Sequence, residues 1–291
     1  MNEPLVTVIV SAYNHEDYVE EAILSIIDQT YENIELLVFD DGSTDDTPEI
    51  LERLSKKHEF YFERQKNIGL PATRNKGIHM AKGEYIGGIA SDDAMLPTRI
   101  ETLMNKMQEL GNGYGLVCGD VGLIDLAGKR TMWNIGGNQF KTFMGYYFDR
   151  RKDVNDSNFG SYETFLKGNY IPAAGVLIRR SDLIRAGLYD ENILIEDWDM
   201  LLKLSRHGTK MHFIRDEVSL YRWHDSNTVK VRRKKIQLDA CKILFRELVL
   251  CALKLRIYQV YIISVRLMFT IGTVVVPKWL RKLVGLHSLV D

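Results

Sequence analysis

Two adjacent carboxylates, Asp92 and Asp93, follow an apolar, β-prone run that begins at Gly83, and Pro97 stands just beyond them. Hard oxygen ligands at a strand end suit Mg²⁺ or Mn²⁺, which takes one or two carboxylates and completes its shell with phosphate oxygens and water. The same pair could equally form a solvated turn that caps the next helix. Two further acidic pairs sit in comparable places. Asp40-Asp41 closes an apolar run and leads into Gly42-Ser43, a turn composition in which a carboxylate caps the next helix. Glu196-Asp197 opens a periodic stretch that reaches Leu204, and acidic groups in a first helical turn are favoured by the helix dipole. His224, in Tyr221-Arg-Trp-His224, is a lone histidine that suits either a ligand or a satisfied structural residue.

The neighbouring segments read as the frame that positions these groups. Residues 5–10 are a short β-branched run, too short for a helix and suited to a buried parallel strand, with Ser11-Ala12-Tyr13-Asn14 as its end loop. Asp17 with Glu20 makes the acidic variant of a capping box for a helix that carries Val19, Ala22, Ile23, Ile26 and Ile27 on one face. A second strand is expected at 34–39. Thr47-Pro48 then supplies the N-cap and first turn of a helix. An edge strand at 60–62 and a helix over 71–82, stopped by Gly83, come next. Strands alternating with helices predict βαβ units and a mostly parallel sheet, which puts Tyr13, Asp41 and Asp92 on one carboxyl edge, where α/β folds hold nucleotides. Residues 114–120 read as another strand, with Asp120 near that edge. Residues 133–161 mix aromatics, glycine and polar groups without a period and read as a loop that shapes a binding site. Beyond them come a loop, a strand and a helix start in 169–181, and a strand at 218–221.

The 291 residues allow one large α/β domain with an appendage, and 45% apolar with 26% charged residues is an ordinary folded composition. The net charge of −1 is unevenly spread. From Lys230 onward there are 13 Lys or Arg against three Asp or Glu, so the first 229 residues carry −11. That divides the chain into an acidic body, 1–229, and a basic extension, 230–291. Nucleic acid is a poor partner for it, because the basic residues near Lys230 lack interleaved stacking aromatics. Cys118, Cys241 and Cys251 are odd in number and have no metal-ligand spacing, which fits thiols in a reducing compartment. The start, Met1-Asn2-Glu3-Pro4, has no basic segment and only about six apolar residues after it, so no signal peptide and a cytosolic body are expected. Neither a GxGxxG fingerprint nor a Walker A sequence is present, which argues against an ordinary dinucleotide site or a P-loop.

Val6-Thr-Val-Ile-Val-Ser-Ala-Tyr-Asn14, Ala22-Ile-Leu-Ser-Ile-Ile-Asp-Gln-Thr30 and Asp40-Asp-Gly-Ser43 resemble the opening of the GT-A family 2 glycosyltransferases. Asn67-Ile-Gly-Leu-Pro-Ala-Thr-Arg-Asn-Lys-Gly77, Ala81-Lys-Gly-Glu-Tyr85 and the Asp-Asp run before Pro97 continue the pattern in order. The likeness is strongest over 4–110, returns at 170–225 and does not cover the last fifty or so residues. It implies a GT-A fold and an inverting, nucleotide-sugar-dependent enzyme. By position, Ser11, Ala12 and Tyr13 would line the nucleotide pocket, and Asp41 would accept from a uracil N–H if the donor is a UDP-sugar. Arg74 would face the diphosphate, since a bidentate donor suits phosphate. Ser91 and Asp92 would belong to the donor and metal site, with His224 as a further metal or diphosphate contact. The commoner family pattern is Asp-x-Asp, and Ala90 stands where its first aspartate would be. The resemblance makes Asp197 the catalytic base, with Glu196 second, deprotonating an acceptor hydroxyl opposite the departing nucleoside diphosphate.

The tail carries two helical segments, 236–256 and 257–276, the second interrupted by Gln259 and Arg266. An arginine at the centre of a span costs ~2.5–3.5 kcal/mol on insertion scales, so amphipathic helices on an anionic membrane fit better, with Lys278, Arg281 and Lys282 adding attraction. A lid or dimer surface is the alternative. The expected function is transfer of a hexose from a nucleoside-diphosphate sugar, UDP first, to a glycan or lipid-linked acceptor. Mn²⁺ or Mg²⁺ would assist, at the cytoplasmic membrane face. The competing reading is a nucleotide-sugar-binding protein without turnover, motivated by Ala90. A nucleotidyltransferase is disfavoured because its Gly-rich phosphate loop is missing.

Overall fold

The computed structural model describes residues 3–135, 137–225 and 227–275. Its first strand, β1 (Val6–Ala12), is central to the sheet and buried under helices on both faces, with β2 (Ile34–Asp40) and β4 (Tyr85–Ala90) paired to it in parallel, one on each side. Between them come α1 (Val19–Ile27), α2 (Thr47–His58), β3 (Tyr61–Arg64) and α3 (Leu70–Met80). The chain continues with β5 (Ala94–Met95), α4 (Arg99–Leu110), β6 (Tyr114–Ile124), the hairpin β7 (Trp133–Ile135) and β8 (Asn138–Phe140), α5 (Phe143–Arg150) and α6 (Tyr162–Leu166). After these come β9 (Val176–Arg179), α7 (Arg180–Ala186), α8 (Glu196–Arg206), β10 (Lys210–Arg222), α9 (Thr228–Val231), α10 (Arg233–Leu253) and α11 (Ile257–Val275).

Eight strands form one sheet in the order β3-β2-β1-β4-β9-β6-β10-β5. Six of them run the same way; β9 runs against β4 and β6, and β5 against β10. Alternate residues of β1 serve opposite faces, as a period of two requires. Val6, Val8 and Val10 pack with α1, α2 and α4, whereas Ile9 packs on the side of α3, α7, α8 and α10. The carboxyl ends of β1, β2 and β4 emerge together, at Ala12, Asp40 and Ala90.

Several local expectations shift. Asp17 forms no capping box: α1 starts at Val19 without a side-chain cap, and the amides of Tyr18 and Val19 donate instead to the His15 carbonyl. Thr47 lies inside α2, and its hydroxyl accepts from the His15 amide at 2.9 Å, tying α2 to the β1 loop. The edge strand falls at 61–64. Helix α3 stops at Met80, three residues before Gly83, whose lack of a side chain serves packing: a Cβ there would lie 2.6 Å from the Thr7 nitrogen. Residues 133–161 hold a hairpin and a helix, and β10 is far longer than 218–221.

The tail is built into the body. Ala240, Ile243, Leu244 and Cys251 of α10 enter the same core as Trp198 and Leu201 of α8. At the centre of that contact Glu247 is fully buried, accepting from the Tyr162 hydroxyl at 2.7 Å and from Arg206 at 2.8 Å, with Arg246 alongside. Among the described residues no helix is long and apolar enough to cross a membrane. Lys278, Arg281 and Lys282 lie outside the described residues.

Burial pushes the Glu247 carboxyl up, but the Tyr162 hydroxyl and the two guanidinium groups outweigh it and hold it below its ordinary value. Its contribution to stability is therefore present above the unfolded-chain pKa and lost as pH falls through the lower folded value. Removing the charge in Glu247→Gln leaves Arg206 without its carboxylate, while Arg246 keeps Asp199, and should cost about 3 kcal/mol. Denaturant unfolding should show that loss at pH 7, narrowing in acid; a midpoint unchanged at pH 7 would refute the role.

Candidate active site

The turn after β4 buries Ser91, Asp92 and Asp93 beside the end loop of β1 and the end of β10. Asp92 Oδ2 lies 2.9 Å from His224 Nε2 and 3.8 Å from His15 Nε2, and Ser91 Oγ lies 2.8 Å from His15 Nδ1. Asn227 orients His224, its Oδ1 accepting from the His224 amide at 2.7 Å. The donor atoms of His15, Asp92 and His224 all fall within 4.8 Å of one another. Two imidazoles and one carboxylate can hold a divalent cation, and the nitrogen donors favour a transition ion such as Mn²⁺ over Mg²⁺, which prefers oxygen.

Electrostatics separates the two neighbouring aspartates. Burial pushes Asp92 up, but the hydrogen bond with His224 and the charges of His15 and His224 prevail and hold it below its ordinary value. Asp93 is driven well above its ordinary value by burial and by the Asp92 charge, offset only in part by the Arg222 N–H that its Oδ1 accepts at 2.9 Å. His15 is lowered, by burial first and then by His224 against the pull of Asp92, which favours the neutral imidazole that a metal needs. Arg222 ties the turn together: Nε donates to the Asp92 carbonyl at 2.8 Å and Nη2 to Glu21 at 2.5 Å, with the guanidinium 4.9 Å from the Tyr18 ring centre.

The nucleotide-pocket candidates surround this turn. Ser11 is in register with Ala90, Ala12 with Asp40, and the Asp41 amide donates to the Ala12 carbonyl at 2.8 Å. Tyr13 is 45% exposed at the rim, open to a stacking partner. Asp40 caps its own turn through the Ser43 amide. Asp41 is almost wholly buried, and its two oxygens accept from Ile68 N, Gly69 N and Gln65 Nε2, each at 2.9 Å. Gly42, at φ +81°, makes room for this closure, since a Cβ there would sit 2.8 Å from Asn67 N. Asp41 thus anchors the loop that leads into α3.

Glu196 and Asp197 start α8 next to that helix. Arg74 of α3, expected at a diphosphate, is turned to Glu196 at 2.6 Å because a buried carboxylate pair needs a cation. Asn169 Nδ2 donates to Asp197 at 2.8 Å. Burial raises both carboxyls, Glu196 to about 7, where the Asp197 charge adds and Arg74 opposes. Asp197 lines a cleft of about 990 Å³ that also takes in Ala90 and Asp93 at the end of β4. The arrangement sets a group able to hold a cation near a carboxyl pair that burial raises above the ordinary range, the direction a general base needs.

Sequence reasoning missed His15, Arg222 and Asn227. His15 had a signal, since it follows Tyr13-Asn14 on the edge that carries Asp92. The other two stand within three residues of His224.

The family profile described as Glycosyl transferase family 2 matches residues 7–166. An uncharacterized glycosyltransferase of Haemophilus influenzae is 34% identical over 186 residues, 63% of this chain and 65% of its own length. A cholesterol galactosyltransferase of Borreliella burgdorferi is 27% identical over 212 residues, 72% of this chain and 57% of its own. The chain thus spans less than two thirds of the length of either relative. Among solved structures, S. aureus TarS 1–349 in complex with UDP-GlcNAc superposes with a TM-score of 0.61 at 17% identity, covering 83% of this chain and 66% of that one. The mannosyltransferase PcManGT from Pyrobaculum calidifontis, in complex with GDP-Man and Mn²⁺, gives 0.61 at 16% identity over 98% and 79%.

Replacing Asp41 by Asn removes the charge and at least one acceptor from the loop at 65–69. Hydrogen bonds to charged groups are worth about 1.5–3 kcal/mol, so exchange of the Ile68 and Gly69 amides should quicken at least tenfold while β1 amides stay protected. Unchanged exchange at both amides would contradict the anchoring role.

Proposed function

The chain belongs to glycosyl transferase family 2 and has the GT-A fold, and from that premise we propose an inverting, metal-assisted hexosyltransferase. It would pass a sugar from a nucleoside diphosphate, UDP first, to a hydroxyl of a glycan or lipid-linked acceptor. The observation that carries the reading is the shared cleft. Ala90 and Asp93, beside the His15–Asp92–His224 group, open into the same space as Asp197, so a donor at the sheet edge and an acceptor against α8 would meet there. TarS bound to UDP-GlcNAc supports the uridine nucleotide, and PcManGT with GDP-Man and Mn²⁺ supports the metal while keeping guanosine in play.

In this reading Ser11, Ala12 and Tyr13 line the base and ribose, and Asp41 offers the one lone pair left on Oδ2 to a uracil N–H. Asp92, His224 and His15 would hold Mn²⁺, with Ser91 fixing the His15 ring through its other nitrogen. The bound cation would supply charge stabilisation for the departing diphosphate. Asp197 takes the acceptor proton. Glu196 shares the burden of negative charge with it, and Arg74 keeps the pair ionisable at neutral pH. Residues 1–229 act as the transferase body and 230–291 as an extension docked on it.

A surface role for the extension also has support. Ile257, Tyr261, Val265 and Met268 are exposed at helical spacing along α11, an apolar stripe suited to the interface of an anionic membrane, on the cytoplasmic side in this proposal. Sedimentation with phosphatidylglycerol vesicles should carry the wild type down and lose Met268→Glu/Tyr261→Glu; equal recovery of both in the supernatant would remove the membrane contact.

Titration calorimetry of UDP and GDP, with and without Mn²⁺, tests the donor site. Mn²⁺-dependent UDP binding that is lost in Asp92→Ala is the expected result, and no nucleotide binding under any condition would overturn it. The base must be deprotonated to act and burial raises both carboxyls of the pair, so kcat/KM should climb with pH above the ordinary carboxylate range instead of through it. Asp197→Asn should lower transfer by ~10²–10⁴-fold with UDP affinity intact. The binder reading, favoured by Ala90 in place of an aspartate, requires equal donor affinity and no turnover in both proteins.

A further inference from the structure

The cleft runs on from Asp197 to a second end, formed by α5, α10 and α11, whose chemistry the transfer reaction does not use. Aromatic rings wall the cleft, with Trp133 packed edge-on against Phe143 and Trp223 at 4.6 and 5.4 Å between ring centres. Among the described residues its lining carries six cations, Arg74, Arg150, Arg151, Lys167, Arg233 and Arg266, against two carboxylates, Asp93 and Asp197. Arg151 is committed: Asp153 and the carbonyls of Thr164 and Gly168 take up its guanidinium, and Asp153 also holds Lys167.

Arg266 is not so placed. It projects from α11 with its Nε buried and without a hydrogen-bond partner, over the Phe269 ring at 5.7 Å, in the same space as the like-charged Arg151. A buried, partly unsatisfied cation facing another cation costs stability unless something anionic shares the site. Burial first, and then the Arg151 charge, lower its pKa to about 10. Arg150 reaches the same cleft with its guanidinium 5.0 Å from the Tyr146 ring centre.

We propose that this end of the cleft, with Arg266 and Arg150 as its donors, binds a phosphoryl group carried by the acceptor. It rests on Asp197 being the base toward which that acceptor points. The cluster offers more N–H donors than one carboxylate accepts, whereas a phosphoryl group presents three oxygens and up to two charges. The aromatic wall takes the sugar or apolar part next to it. The phosphate could belong to a lipid carrier or to a phosphodiester within a water-soluble chain.

Calorimetry on the full chain distinguishes these, using dodecyl phosphate below its micellar concentration, glycerol 1-phosphate and neutral octyl glucoside, with wild type, Arg266→Met and Arg150→Gln. Both phosphates should bind the wild type, and Arg266→Met should weaken them at least tenfold, the equivalent of one charge-assisted hydrogen bond, without altering octyl glucoside. Arg150→Gln, on an exposed side chain, gives an independent weakening should Arg266→Met fail to melt cooperatively. Tighter binding of dodecyl phosphate assigns the lipid carrier; equal binding assigns the soluble chain. Phosphate binding that is absent in the wild type, or unchanged in both variants, overturns the proposal. UDP with Mn²⁺ is titrated in parallel: its loss with phosphate binding retained would sink the donor site and leave this one standing.

Discussion

Two carboxyl groups on consecutive buried residues cannot both stay ionised unless each finds its own compensation, and the turn after β4 is shaped by that constraint. Asp92 finds it in two imidazoles, one from the β1 loop and one from beyond β10, and stays charged. Asp93 finds only a backbone N–H and guanidinium charge, and burial beside Asp92 drives it well above its ordinary value. Arg222 serves both, and its outer nitrogens reach Glu21 on α1 and the Asp125 carbonyl after β6. Remove that residue and four segments lose a common tie. The length of β10 reflects the same need, since the strand must run beside β6 to the sheet edge before it can deliver Arg222 and then His224.

Much of the left half of the sheet was legible. Continuous apolar runs at β1, β2 and β4, each ending in polar turn residues, fixed both the strands and the edge at which Ser11, Asp41 and Asp92 gather. What periodicity could not reveal was where backbone amides would go. Asp41 reads as a ligand-facing carboxylate in any sequence, and only the fold brings Ile68 N and Gly69 N onto it. Nor does Lys210-Met-His-Phe-Ile-Arg-Asp-Glu217 alternate in the manner of a strand. It is held by pairing with β6 through register shifts, so its polar residues mask the element. The α5 region escaped because rings packed on rings stand in for a helical stripe. Arg74 was readable as a phosphate cation, and its turn toward Glu196 depends on a helix more than a hundred residues later.

The uneven charge of the chain acquires a spatial meaning. Part of the positive excess after Lys230 faces the cleft, through Arg233 and Arg266, and not solvent alone. A basic tail scanned by composition looks like a surface device. Here two of its acids, Asp239 and Glu247, are fully buried against partners on the body, and this is why α10 lacks a clean apolar face yet packs tightly. A cleft with more cations than carboxylates in its lining favours a substrate that carries negative charge.

The placement of β9 has a kinetic consequence. Among the described strands it alone joins the β3-β2-β1-β4 half of the sheet to the β6-β10-β5 half, and it comes late in the chain. During synthesis the amino-terminal half can close its parallel ladders as soon as β4 emerges, yet β4 then presents an unpaired edge until Val176–Arg179 has left the ribosome. Open edges of apolar strands recruit other chains, and pairing across long sequence separations is slow. The nascent protein therefore passes through an interval in which self-association competes with its own completion, and the timing of translation between β4 and β9 bears directly on yield.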